Sequence, residues 1–144
     1  MSYEPQLERL VRFYETIDAH SLRAQLATIY SDEARFKDPF NEVQGLDAIA
    51  AIFEHMFEQV HAPRFVVVNR VQEGAQAFLV WEFQYRMKRF SQEQQCIRGA
   101  SHIVFDARGK VFVHRDYWDA AEELYEKLPL LGALMRWLKR RATV

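Results

Sequence analysis

Hydrophobic residues in the first part of the chain recur three or four positions apart, which is the spacing of an amphipathic helix. Residues 5–19 and 46–60 show this period most clearly, and Pro5 suits the first turn of a helix. Ser21 is a candidate N-cap for a second, shorter helix between them. The pattern therefore predicts three helices, with a short strand over 33–38 before the third.

After Pro63 the hydrophobic period changes from helical to alternating. The alternating segments are rich in Val, Phe, Tyr and Trp and predict four long strands, over residues 64–72, 76–88, 95–106 and 110–118. Helices followed by a run of antiparallel strands predict an α+β fold, in which the helices pack on one face of a curved sheet.

The last hairpin is short enough for its cross-strand pairs to be predicted by counting. If Arg108-Gly109 forms a two-residue turn, the opposite pairs are Gly99 and Trp118, Ser101 and Asp116, and Ile103 and His114. Directly paired residues point to the same face of a sheet. A serine, a histidine and an aspartate therefore share one face, and the glycine leaves space for the indole. A three-residue loop would shift this register by one position.

Composition narrows the class of protein. The chain has 144 residues, of which 49% are hydrophobic and 27% charged, with a formal net charge of −1. These values predict one soluble domain over residues 1–144, exclude disordered and fibrous classes, and give no bias toward nucleic acid. The single cysteine excludes an internal disulfide. No signal peptide and no apolar run of membrane-spanning length is seen, which favours a cytosolic location.

The aromatic content is high, at 14% of the residues. Many large rings in a small fold either pack a core or line a cavity for an apolar ligand. The residues that we predict to line such a pocket are Trp81, Phe83, Tyr85, Gly99 and Trp118.

The element order, and the segment IYSDEARFKDPFNEVQGLDAI (29–49) in particular, resembles the SnoaL-like branch of the nuclear transport factor 2 (NTF2) superfamily. The resemblance covers nearly the whole chain as a fold. It implies a cone, in which a curved antiparallel sheet wraps around helices and leaves a deep pocket. The superfamily holds isomerases, cyclases, hydrolases and non-enzymatic binding proteins, so the resemblance leaves the function open.

Two subfamilies suggest roles for single residues. Tyr14 and Asp38 fall on positions that serve as a hydrogen-bond donor and a base in ketosteroid isomerases, and Ser101 falls on the position of their second donor. The triplet Arg115-Asp116-Tyr117 resembles the final strand of limonene-epoxide hydrolases. In that family the aspartate of the triplet activates a water molecule, which makes Asp116 its counterpart.

Each candidate also has a purely structural interpretation. An aspartate before a proline, such as Asp38, commonly begins a turn. Asp116 could form an ion pair with Arg98, while Tyr14 and His114 could be hydrogen-bonded core residues. A metal site is not predicted, because His114, Asp116 and Asp38 form too thin a ligand set. No other cofactor is predicted.

Two functional hypotheses follow. In the first, the protein is an acid–base isomerase or hydrolase for a small hydrophobic molecule, with catalytic candidates Asp116, Asp38, Tyr14, Ser101 and His114. In the second, it is a non-catalytic ligand-binding or protein-interaction module whose polar residues only orient a ligand.

The predicted outer face of the sheet is also apolar, and its residues are Phe78, Val80, Val104, Val111, Val113 and Tyr117. Such a face needs a cover, and a sheet-to-sheet homodimer is the simplest one.

Residues 120–144 are predicted to form a helical extension. From residue 126 onward this extension contains five Lys or Arg residues and one Glu. Leu131, Leu134, Met135 and Leu138 form one stripe, with Arg136, Lys139 and Arg140 opposite. This helix could dock on the body or on a partner subunit, or contact a membrane surface of anionic lipid.

Overall fold

The computed structural model describes residues 2–88, 93–123 and 129–143. Its helices are α1 (Glu4–Glu15), α2 (Leu22–Ile29), α3 (Leu46–Gln59), α4 (Ala120–Glu123) and α5 (Pro129–Ala142). Its strands are β1 (Tyr30–Lys37), β2 (Glu42–Gln44), β3 (Val60–Glu73), β4 (Gln76–Met87), β5 (Gln94–Phe105) and β6 (Val111–Tyr117). The predicted α+β class is confirmed. Helices α4 and α5 lie in the part of the chain where a helical extension is predicted.

The six strands form one sheet in the order β2-β1-β6-β5-β4-β3. Neighbouring strands are antiparallel, except that β1 runs parallel to β6. This parallel pairing places Phe36 beside His114. The pairing of β1 with β6 therefore brings together residues that are far apart in sequence.

Helices α1 to α3 bury their apolar sides, and the inner face of the sheet supplies the rest of the core. Leu10 of α1, Ile49 of α3 and Leu79 of β4 are fully buried. Each buried side chain of this size contributes about 1.5–3 kcal/mol relative to an exposed one. The hydrophobic period that predicts the helices is thus the pattern that anchors them over the sheet.

Three element boundaries differ from the sequence-based prediction. Helix α1 ends at Glu15, and β1 begins at Tyr30, three residues earlier than expected. Strand β3 begins at Val60 and continues through Pro63, where its register against β4 shifts and Ala62 has a φ of 50°. Proline is tolerated inside a strand at such an irregularity because its missing N–H is not needed by the ladder.

The turn between β5 and β6 differs from the predicted two-residue turn. Asp106 N donates to Lys110 O at 2.8 Å, so three residues, 107–109, form the loop. Gly109 has a φ of 80°, a backbone conformation that favours glycine. A bulge then leaves Phe112 without a partner and restores the predicted register. The longer loop and the bulge each shift the register by one residue in opposite directions, so the predicted pairs from Ile103 and His114 onward are kept.

Because of the same bulge, one residue that was predicted for the outer face of the sheet lies on the inner face. Val111 lies opposite Phe105 and is fully buried, so its assignment to the outer face is wrong. Phe112 is exposed in its place. The strand reverses its facing at the bulge because one extra residue breaks the two-residue alternation.

The other predicted outer-face residues are not in the core. Phe78, Val80 and Tyr117 are exposed, and Val104 and Val113 are half-buried. Phe78 stacks on His102 of the neighbouring strand, with ring centroids 4.6 Å apart. This apolar patch is continuous across β4, β5 and β6.

Among the described residues, no helix is both long and apolar enough to cross a membrane. The cytosolic location stays a prediction.

Candidate functional site

A cavity of about 300 Å³ lies between helices α1 and α3 and the inner face of the sheet. This volume is at the lower end of the range for small-molecule pockets. The predicted site residues that line it are Tyr14, Asp38, Trp81, Phe83, Tyr85, Ser101, His114, Asp116 and Trp118. Most of its other lining is apolar. Nine of the ten residues predicted from the sequence therefore meet at one cavity.

Gly99 is the tenth predicted pocket residue, and it lies beneath the ring of Trp81. A Cβ atom at Gly99 would come 2.6 Å from Cη2 of Trp81, and 3.0 Å from Cβ of Trp118. The indole that occupies the space above this glycine is therefore chiefly that of Trp81, its partner on β4, rather than that of Trp118. Gly99 contributes to the pocket by letting the Trp81 ring lie against the strand.

Asp116 is held by two hydrogen bonds to one of its oxygens. Its Oδ1 accepts from Ser101 Oγ at 2.5 Å and lies 2.6 Å from His114 Nε2. Ser101 in turn accepts a hydrogen bond of 2.8 Å from Trp81 Nε1. Because an indole N–H can only donate, the Ser101 hydroxyl must give its own hydrogen to Asp116. That hydrogen is engaged in positioning the carboxylate.

The other nitrogen of His114 faces two tyrosines. His114 Nδ1 lies 2.8 Å from the Tyr14 hydroxyl and 2.6 Å from the Tyr30 hydroxyl, and the two hydroxyls are hydrogen-bonded to each other. Burial raises the pKa of both tyrosines above its usual range, so both stay protonated. All these contacts are satisfied when Nδ1 accepts from a tyrosine and Nε2–H donates to Asp116.

These residues form a continuous hydrogen-bonded path that we call the polar chain: Trp81, Ser101, Asp116, His114, Tyr30 and Tyr14. Its members come from α1, β1, β4, β5 and β6. Buried polar groups are costly unless paired, and pairing throughout such a path fixes the position of each member.

Tyr30 is the member of the polar chain that the sequence does not reveal as a candidate. It is fully buried at the start of β1, where the predicted strand begins only at residue 33. The pattern that could have indicated an earlier start of β1 is that Tyr30, Ala34 and Phe36, which are separated by even numbers of residues, all face inward. Three polar residues, 31–33, obscure that alternation in the sequence.

Asp38 lines the cavity but serves its own loop. Its Oδ1 accepts hydrogen bonds from the backbone N–H of Phe40 at 2.8 Å and of Asn41 at 2.6 Å. This is the turn-forming role of an aspartate before a proline. The geometry therefore favours the structural interpretation of Asp38.

The ion pair considered for Asp116 is not the one that forms. Arg98 Nε lies 3.1 Å from the buried carboxylate of Glu123 in α4. Asp116 is held by Ser101 and His114 instead, so an arginine partner does not explain its position in the strand.

The second oxygen of Asp116 is the polar atom best placed to meet a ligand. Within residues 2–88, 93–123 and 129–143, Oδ2 has no hydrogen-bond partner, and the side chain is 18% exposed. Asp116, Asp38 and Trp118 also line a shallow depression at the outer ends of β1 and β6. The carboxylate therefore stands in the wall between the inner cavity and this depression.

In the described part of the chain, no three or more His, Cys, Asp or Glu side chains are grouped so that they could hold a metal ion.

The fold and the cavity define a class of small α+β proteins with carboxylates, here Asp38 and Asp116, at the wall of a largely apolar pocket. A family model described as the SnoaL-like domain matches residues 10–114, so the chain belongs to the SnoaL-like family. The resemblance to the SnoaL-like branch of the NTF2 superfamily is thereby confirmed. No curated protein matches the sequence.

Several solved structures share the fold. A candidate SnoaL-like polyketide cyclase from Jannaschia sp. CCS1 matches with a TM-score of 0.74 and 16% identity, over 85% of this chain and 91% of that one. A candidate polyketide cyclase from Pseudomonas putida KT2440 gives 0.72 and 13%, over 90% and 99%. A hypothetical protein with a ketosteroid isomerase-like fold from Catenulispora acidiphila, in complex with trimethylamine, gives 0.70 and 9%, over 85% and 92%. At these identities the similarity shows the fold alone.

Proposed function

We propose that this protein is an acid–base enzyme, an isomerase or hydrolase in the broad sense, that acts on a small and largely hydrophobic molecule. The observation that carries the proposal is the asymmetry of Asp116. One carboxylate oxygen is fixed by Ser101 and His114, while the other is unpaired at the wall of an apolar cavity. A general base needs this arrangement, because it must be held in place and still reach the proton that it removes.

In the proposed reaction, Asp116 Oδ2 takes a proton from the substrate or from a water molecule. In an isomerisation the same oxygen returns the proton to a different atom of the substrate, so the carboxylate is regenerated. His114 is a positioning residue, since its Nε2–H orients Oδ1. The candidate cyclases among the structural neighbours add ring closure to the reactions that such a base could serve.

Tyr14 is the proposed hydrogen-bond donor to a substrate oxygen. It lines the cavity, whereas Tyr30 is fully buried behind it. Tyr30 alone can satisfy His114 Nδ1, at 2.6 Å. The hydrogen of Tyr14 then goes to the Tyr30 hydroxyl. Tyr14 can give it to an oxyanion that develops in the cavity by exchanging that bond, and a preorganised donor stabilises charge there more than water does.

A ligand-binding module is the second candidate function. It is favoured by the chemistry of the cavity wall, since Asp38 is engaged by its loop and Ser101 by Asp116. Asp116 and Tyr14 would then orient a bound molecule without transforming it. The two functions make different predictions for proton exchange.

The first experiment is native mass spectrometry of the purified protein, to identify any small molecule that it retains. The second is incubation of the protein with a panel of small cyclic ketones in D2O, followed by mass spectrometry of the ketones. An isomerase of the proposed type incorporates deuterium beside the carbonyl, and Asp116→Asn reduces that rate by about tenfold or more.

The matched control for that variant is Asp32→Asn, which makes the same chemical change at an exposed residue of β1. Its exchange rate should equal that of the wild type. A retained ligand that binds equally well to Asp116→Asn would contradict a role for this carboxylate in either reaction, and no exchange in any ketone would overturn the isomerase form of the proposal.

A further inference from the structure

Helix α5 presents apolar side chains to solvent. Leu134, Trp137 and Leu138 are 49%, 46% and 45% exposed. All the other side chains that the structure describes from Ala133 to Thr143 are exposed as well. These side chains are therefore not covered by the body of the protomer.

The helix separates its apolar and basic residues. At 100° per residue, Leu134, Trp137 and Leu138 fall within one narrow stripe, while Arg136, Lys139 and Arg140 lie on the other side. Arg141 falls in the apolar stripe, and its guanidinium lies over the Trp137 ring, 5.1 Å from the centroid. A Trp ring in contact with an Arg, whose long side chain can carry its charge out of an apolar surface, suits the boundary between lipid chains and headgroups.

We propose that α5 is an interfacial helix that binds the surface of an anionic lipid membrane. The argument for this partner is charge complementarity. Residues 126–144 carry five basic side chains and one acidic one, although the whole chain has a net charge of −1. The rest of the protein is therefore acidic, so an anionic surface attracts the helix and repels the body.

The geometry also fixes how the helix meets the membrane. Its 14 residues span about 21 Å, which is too short to cross the hydrocarbon core. It must lie in the plane of the surface, with the apolar stripe inserted and the basic side chains reaching the headgroups. This inference does not depend on the proposed catalytic function.

Vesicle flotation with the full chain tests the proposal. Vesicles of phosphatidylcholine alone are compared with vesicles that also contain phosphatidylserine, at low and at high salt. We expect the protein to float with the anionic vesicles at low salt. The bound fraction should fall severalfold with zwitterionic vesicles, and also at about 0.5 M salt, because salt screens the attraction between exposed charges.

Two variants separate the two parts of the helix. The double change Arg140→Glu and Arg141→Glu should abolish flotation. The control, Arg9→Glu with Arg108→Glu, makes the same charge change at exposed positions elsewhere, and a larger fraction of this variant should float. Trp137→Ser with Leu138→Ser should reduce binding while all charges remain.

Three results would overturn the proposal: no flotation of the wild type, equal flotation of both charge-reversed variants, or binding unaffected by the loss of Trp137 and Leu138. If the serine variant instead lowers the oligomeric mass in light scattering and leaves flotation unchanged, α5 packs on a second copy of the chain.

Discussion

His114 and Asp116 lie two residues apart on β6 and are joined by a hydrogen bond of 2.6 Å between Nε2 and Oδ1. Residues at this spacing project from the same face of a strand, so the strand itself delivers both side chains to the cavity. Their outer contacts then connect them to Ser101 on one side and to Tyr30 on the other. The carboxylate is thus positioned by donors from several elements, and each donor can be removed separately.

The link between Ser101 and Trp81 can be tested by Ser101→Ala. The change removes one donor to Asp116 and leaves the buried indole N–H without a partner, which should cost about 1–3 kcal/mol in the free energy of unfolding. Urea denaturation measures the loss. In a Trp81→Phe background the same substitution should cost less, and equal costs in both backgrounds would contradict the linkage.

Two of the buried tyrosines, Tyr14 and Tyr30, predict a loss of stability at alkaline pH. Burial raises the pKa of Tyr14 and Tyr30 in the folded protein, whereas both ionise near pH 10, the usual value, when unfolded. The unfolded state therefore releases protons first. The stability is complete below about pH 10 and falls above it by up to about 1.4 kcal/mol per pH unit for each tyrosine, until the folded pKa is passed.

Tyr30→Phe should make this decline less steep between about pH 10 and about pH 11. The free energy of unfolding, measured by urea denaturation at each pH, gives the slope. An unchanged slope in Tyr30→Phe would show that Tyr30 does not contribute to the alkaline transition.

Gly99→Ala should disturb the polar chain from a position outside it. The new Cβ would lie 2.6 Å from Cη2 of Trp81, so the ring must shift and its bond to Ser101 weakens. Overpacking of this kind costs about 1–3 kcal/mol. Combining the change with Trp81→Phe should recover part of the loss, because the smaller ring leaves room. Thermal denaturation of the single and double variants would show whether that recovery occurs.

The outer sheet face predicts a homodimer, because Phe78, Val80 and Tyr117 are exposed together. Light scattering should give about twice the protomer mass of 17.1 kDa. Phe78→Glu should shift the protein to the monomer by placing a charge in the contact. Ala27→Glu adds the same charge at an exposed position of α2 and should leave the dimer intact. A wild-type mass of one protomer would refute this prediction.

The sequence predicts those parts of the site that depend on local pattern. Strand alternation places Ser101, His114 and Asp116 on one face, and the family resemblance adds Tyr14. What it does not reveal depends on contacts between distant elements. Tyr30 joins the polar chain only because β1 pairs with β6, and the ring above Gly99 is set by β4. Periodicity within one segment carries no information about either pairing.

The bulge at Phe112 also has an evolutionary consequence. In a regular ladder, a strand keeps its inward-facing residues only if its length changes by two residues at a time. Here one residue of β6 has no partner, so the deletion of Phe112 would straighten the strand and still leave His114 opposite Ile103. Relatives of this protein can therefore differ in this hairpin by a single residue and keep the histidine and the aspartate in the cavity.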